Sequence, residues 1–232
     1  MRKIAIAIIA IGLVLATTAS ASNVVRISQV YGAGGNAYKC DYIELFNNSG
    51  SPVNIGGWSV QYGSSTGSSF GSSTYNYALI PAGAVIPACG YYLIRGNCST
   101  AGADLPVTPD LQPATPAVWS FNFSGTAGKV ALFSDQVFNR TCVQAQASPN
   151  LVDLVGYGGA NCFETATAPA GDNFSVLVRA GGGTVDTDNN SADFSKVAQP
   201  YPMHNSASPQ NVDCLAVPTL GTTWGRLKTI YR

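Results

Sequence analysis

A Ser-His-Asp or Cys-His arrangement needs a histidine as its base, and the chain has one, His204. It sits in Gln199-Pro-Tyr-Pro-Met-His-Asn-Ser206, a proline-rich segment that reads as a surface loop. Metal hydrolase sites that draw on several histidines are excluded by count. The only glutamates are Glu44 and Glu164. Paired with Asp41 or Asp153, they would supply the two carboxylates that glycosidases hold about 5–10 Å apart. Glu44 and Asp153 fall on strand candidates, however, where bonding to a neighbouring loop accounts for them without catalysis. A nucleophile, a base and an orienting group do not converge in this residue set, so no catalytic residue and no cofactor are assigned.

Three other patterns bear on binding. Asp186-Thr-Asp-Asn-Asn190 sets oxygen side chains at alternate positions, as a hard cation such as calcium requires. A calcium loop of the EF-hand type also needs a glycine and a glutamate where Ser191 and Val197 stand. An Asx-rich turn is the favoured reading, with calcium binding by Asp186, Asp188 and Asn190 left open. The glycine runs Gly32-Ala-Gly-Gly35 and Gly181-Gly-Gly183 do not lead into helices, so they lack the helix N-terminus that holds a phosphate and read as loops. Trp224, Arg226, Lys228, Tyr231 and Arg232 mix aromatic and positive residues near the C-terminus. They suit a polyanion contact or, more simply, a charged edge strand.

The elements that must position these residues belong to an exported β-protein. Arg2 and Lys3, the apolar run Ile4 to Leu15 and the small residues Ala19-Ser20-Ala21 form a signal peptide, residues 1–21, cleaved before Ser22. The apolar run is shorter than the roughly 20 residues of a membrane span, so no stable membrane insertion is expected after cleavage. The mature protein is expected outside the cytoplasm, secreted or at the cell surface. It carries 10 basic and 12 acidic residues, and only 10% of the chain is charged. That balance argues against a nucleic-acid binder with a large basic surface.

Six cysteines in an exported chain point to disulfides, and no Cys-x-x-Cys spacing suggests zinc. Cys142 and Cys162 flank a strand candidate with enough chain to return, and closing that loop stabilises the fold by roughly 3 kcal/mol. Between Cys89 and Cys98, Gly90-Tyr-Tyr-Leu-Ile-Arg95 reads as extended and covers about 20 Å. The residues after it return only about 10 Å, so that pair is disfavoured. Cys40 and Cys98 would meet if their strands run antiparallel side by side, and elimination leaves Cys89 with Cys214.

Strand signals recur at Val24–Tyr31, Asp41–Asn47, Trp58–Tyr62, Tyr75–Ile80, Tyr91–Arg95, Lys129–Phe133, Leu151–Tyr157 and Phe174–Arg179, each bounded by turn formers. A sustained 3.6-residue apolar period is missing, so long helices are not expected. Many short strands with frequent turns make a β-sandwich the natural architecture. In Asp41–Asn47, Ile43 and Leu45 mark a core face, and the face of Tyr42, Glu44 and Phe46 reads as partly exposed.

Asp41-Tyr-Ile-Glu-Leu-Phe-Asn47, the polar turn Asn48-Ser-Gly-Ser-Pro52 and Gly56-Gly-Trp-Ser-Val-Gln-Tyr62 together resemble the opening of the lamin tail domain. Ile80 to Ile94, Ser124 to Phe133 and Val152 to Gly158 resemble its later strands, and the likeness runs from about Val24 to Pro209. The resemblance implies an all-β, immunoglobulin-like sandwich with long surface loops, over residues 22–214, with 215–232 left as a C-terminal strand or tail. It also implies a non-enzymatic binding or scaffolding module, acting on an unidentified protein or cell-surface polymer. The alternative is an accessory to a secreted nuclease or phosphatase, a reading that rests on domain association alone.

Overall fold

The computed structural model describes residues 24–32, 37–114 and 119–215. The expected signal peptide, residues 1–21, and the segment with Trp224, Arg226, Lys228, Tyr231 and Arg232 lie outside the described residues. The strands are β1 (Val25–Tyr31), β2 (Cys40–Asn47), β3 (Val53–Asn54), β4 (Ser59–Ser64), β5 (Asn76–Leu79), β6 (Val85–Ile86), β7 (Tyr91–Cys98), β8 (Ser120–Phe121), β9 (Gly128–Phe133), β10 (Leu151–Tyr157), β11 (Ser175–Arg179) and β12 (Phe194–Ala198). Two short helices, α1 (Cys142–Gln146) and α2 (Asn190–Asp193), lie in the connections. Among the described residues no helix is long and apolar enough to cross a membrane.

β12, β11, β1, β2 and β7 form one five-stranded sheet, and β10, β9, β4, β5 and β8 form the other. Every pairing within them is antiparallel. The all-β immunoglobulin-like sandwich is therefore the fold of the chain. Its core is the layer between the sheets, where Ile27, Ile43, Leu45, Trp58, Val60, Ile94, Phe121, Val130, Leu132 and Val155 meet. The strand alternation that places Ile43 and Leu45 inward is what drives this burial. Three disulfides join Cys40 to Cys98, Cys89 to Cys214 and Cys142 to Cys162. Cys142 opens α1, which Thr141 caps in a reciprocal box with Gln144.

The expected half-exposed face of β2 is a point of correction. Every residue of the strand is buried. Its outer face packs Tyr42 with Tyr31, Tyr38 and Met203, with Tyr201 beside them. The segment from Gln199 to Pro209 lies over this face. Gln199 Nε2 donates to the Tyr42 hydroxyl at 2.9 Å, and Gln29 Nε2 donates to the Pro202 carbonyl at 2.8 Å. A central strand covered on both sides has no exposed face, whatever its own residues suggest.

Three irregularities interrupt the ladders: in β1 between Ile27 and Gln29, in β10 between Leu151 and Asp153, and between β2 and β7 where Cys40 pairs with Cys98 but Tyr42 with Arg95. The first two sit where the polar groups described below collect, as bulges re-aim side chains.

Trp58 precedes β4 and is 6% exposed within the core. Trp58→Ala is expected to cost roughly 3–5 kcal/mol, seen as a lower urea midpoint with an unchanged slope. A near-native midpoint would undo the proposed anchoring role.

Candidate functional site

Glu44 is 1% exposed on the outer face of β2, and a buried carboxylate needs donors. It finds four contacts. Ser28 Oγ donates to Oε1 at 2.7 Å, and Oε2 accepts from Gln29 Nε2 at 3.1 Å and from the His204 backbone N–H at 2.6 Å. His204 Nδ1 lies 3.1 Å from the same Oε2. The β1 bulge is what lets two consecutive residues, Ser28 and Gln29, reach one carboxylate.

The His204 ring stacks on Tyr91 with centroids 4.3 Å apart, and its side chain remains 30% exposed. Both line a cleft of about 400 Å³ with Gly182, Asn211, Val212 and Asp213. Asn211 Nδ2 donates to the Tyr91 hydroxyl at 3.2 Å and to the Gly181 carbonyl at 3.0 Å. Burial pushes the Tyr91 phenol up to about 12, so it stays neutral. An oriented imidazole suits catalysis only beside a nucleophile. Here Ser28 is bonded to Glu44, Ser206 Oγ donates to Asp110, and Cys89 and Cys214 share a disulfide. The cleft is arranged to bind, with polar groups fixed in place. The sole histidine is thus no bland loop residue; the structure joins it to a glutamate 160 positions away.

The second cluster surrounds Arg179, which is fully buried. Its Nη2 donates to both oxygens of Asp153 at 2.8 Å, and Nη1 lies 3.0 Å from Asp186 and 3.3 Å from Asp193. Nε donates to the Ile27 carbonyl at 2.9 Å, and the guanidinium lies over the Phe194 ring. Every nitrogen of the guanidinium is then engaged. Burial alone would pull its charged form down, but the carboxylates of Asp153 and Asp186 more than offset this and hold it above its usual value.

The same frame absorbs the Asp186–Asn190 segment. Asp186 also pairs with Arg26 at 3.1 Å, and Asn189 caps α2. Asn190 turns inward, with Nδ2 donating to the Leu154 carbonyl and to Glu164 Oε2, both at 2.8 Å. Its Oδ1 accepts from the backbone N–H groups of Gly156 and Glu164. The side-chain oxygens of Asp186 and Asn190 are thus turned toward protein donors, while Asp188 is exposed and its backbone carbonyl accepts from the Thr165 hydroxyl. Among the described residues no group of three or more His, Cys, Asp or Glu side chains is placed to hold a metal ion.

The carboxylate pairs read from the sequence are redistributed. Asp153 and Glu164 share the Arg179 cluster, and burial first, then the Asp153 charge, pushes Glu164 up to about 8. Asp41 lies elsewhere and accepts from the Phe123 N–H at 2.6 Å. Gly181, Gly182 and Gly183 take positive φ values of 63°, 62° and 105° in a tight turn, which is their reason to be glycine. Sequence reasoning missed Arg179, whose surroundings in Ser175-Val-Leu-Val-Arg179 show only an apolar strand ending in a charge.

Two antiparallel sheets with their chemistry-bearing residues bonded into the frame define an immunoglobulin-like sandwich module. The profile of the lamin tail domain matches residues 18–159, more than half of the chain, and the protein belongs to that family. A solved structure of a DUF4876 family protein from Bacteroides thetaiotaomicron VPI-5482 shares the fold, with a TM-score of 0.54 at 10% identity over 80% of this chain and 74% of that one. A search of the curated proteins returns no match. Arg179, Asp186, Asn190, Asp193 and His204 all lie beyond the matched segment, so both clusters are completed by the C-terminal part of the chain.

The Glu164 environment sets a pH dependence. Its folded value, about 8, lies above the ordinary 4.5, so the native state holds a proton that the unfolded chain releases. The resulting stability is full below 4.5 and is lost as pH rises through about 8. Glu164→Gln keeps the acceptor for Asn190 without the charge. It should match the parent in acid and exceed it by on the order of 2–4 kcal/mol above pH 8. Urea unfolding across that range checks this, and parallel curves for the two proteins would refute it.

Proposed function

We propose that this lamin tail domain protein is an exported, non-enzymatic binding or scaffolding module that contacts a protein or polymer outside the cytoplasm. The observation that carries the reading is the saturation of Glu44. Its carboxylate, the one bonded to the sole histidine, is taken up by Ser28, Gln29 and His204 and is 1% exposed. A group so placed holds the C-terminal segment onto β2 and has no route to a substrate proton. The signal peptide, the disulfide framework and the family membership support export and a module role. The accessory reading, as partner of a secreted nuclease or phosphatase, gains little from the described cations, since six of the seven are bonded to carboxylates or carbonyls of the protein itself.

The mature protein, offered phosphoester and glycosidic substrates, should show no turnover above blank, while crosslinking in native culture supernatant should retain a defined partner. Turnover that disappears in Glu44→Gln or His204→Ala would overturn the non-enzymatic reading.

A further inference from the structure

Arg95 stands apart from every other described cation. Arg26, Lys39, Lys129, Arg140, Arg179 and Lys196 each have a carboxylate or carbonyl partner. The Nε atoms of Arg26 and Arg95 are both shielded from solvent without a hydrogen bond, but Arg26 has the Gly183 and Thr184 carbonyls as acceptors for its Nη1 and Arg95 has none. A shielded N–H without an acceptor is costly. Arg95 lies on β7, the edge strand of the first sheet. Gly96 next to it brings that edge against β8, the edge of the second sheet, because a Cβ there would lie 2.2 Å from the Phe121 ring. The seam between the two edges holds a cavity of about 380 Å³ lined by Tyr75, Arg95, Asn97, Pro113 and Ser120. Ser120 gives a second, independent sign of an unfilled requirement. It is 5% exposed, and its hydroxyl also has no partner. Tyr75, which also lines the cavity, is 67% exposed.

We propose that this seam cavity is a binding site for a carboxylate-bearing sugar unit, a uronate of an extracellular glycan. The planar fork of Arg95 matches a carboxylate through two parallel N–H···O bonds. The exposed Asn97 amide both donates and accepts, as sugar hydroxyls require. Tyr75 offers an aromatic wall to a sugar ring. The volume falls at the small-ligand end of known sites, about 300–1,000 Å³, and admits one or two rings rather than a protein segment. The Cys40–Cys98 disulfide fixes the end of β7 and so the mouth of the cavity. The site is separate from the His204 cleft. It takes from the proposed function only that the module binds a ligand.

The test is calorimetry of the full mature protein with trigalacturonate, with the neutral trimer maltotriose and inorganic sulfate as parallel probes. Trigalacturonate should bind and maltotriose should not. Arg95→Gln should weaken binding at least tenfold, and Arg95→Lys should fall between the two. Because Arg95 makes no structural bond, the urea midpoint of Arg95→Gln should equal that of the parent, which separates a lost ligand from a lost fold. Equal affinity of parent and Arg95→Gln, absence of trigalacturonate binding, or sulfate binding as tight as the trimer would each overturn the assignment. Cleavage of the trimer by the parent would instead sink the non-enzymatic reading while leaving the site in place.

Discussion

One buried guanidinium joins the two sheets of this sandwich. Arg179 belongs to β11 in the first sheet and Asp153 to β10 in the second, and their bidentate pair lies wholly out of water. Removing both charges from water is tolerable only when each remaining donor and acceptor is met. That condition organises the whole end of the molecule. Asp153 also accepts from the Ile27 N–H at 2.6 Å, which the bulge of β1 turns toward it. Asp186 and Asp193 complete the guanidinium, and Asp186 then holds Arg26. Asn190, carried on the helix that ends in Asp193, bonds the backbone along the outer edge of β10. An edge that would invite another strand is closed by the same network that closes the core.

The second organising contact is Glu44 with His204. It draws the segment Gln199–Pro209 over the outer face of β2, and the tyrosine-rich layer beneath it becomes a second, smaller core. The consequence for function is positional. Carboxylates and histidine that could do chemistry are used to hold cover segments in place. The open surface is left to the loop ends and the seams between sheet edges.

The eight longer strands could be read from β-branched and aromatic runs between turn formers, since each carries its own pattern. β3, β6 and β8 are two residues long and carry none. β12 was hidden because Ser195 and Lys196 are exposed on an edge strand and read as loop. Trp58 and Ile43 announced their burial through their type. Tyr42 and Glu44 did not, because what covers them is a segment more than 150 residues later. The sites were harder still. Arg179 and Arg95 look alike in the sequence, each ending an apolar strand run, yet every guanidinium nitrogen of the first is engaged and the side chain of the second has no bonded partner. Only the distant loops that supply or withhold carboxylates tell them apart.

The central claim is that the inter-sheet ion pair, and not the hydrophobic layer alone, fixes how the two sheets meet. A double-mutant cycle in urea tests it most directly, with Arg179→Met, Asp153→Leu and the two combined. Each single replacement breaks the buried pair and should cost roughly 3–5 kcal/mol, whereas the double replacement should cost clearly less than the sum of the two. Single variants that unfold at the parental midpoint, or a double variant that loses the full sum of the two, would contradict the account.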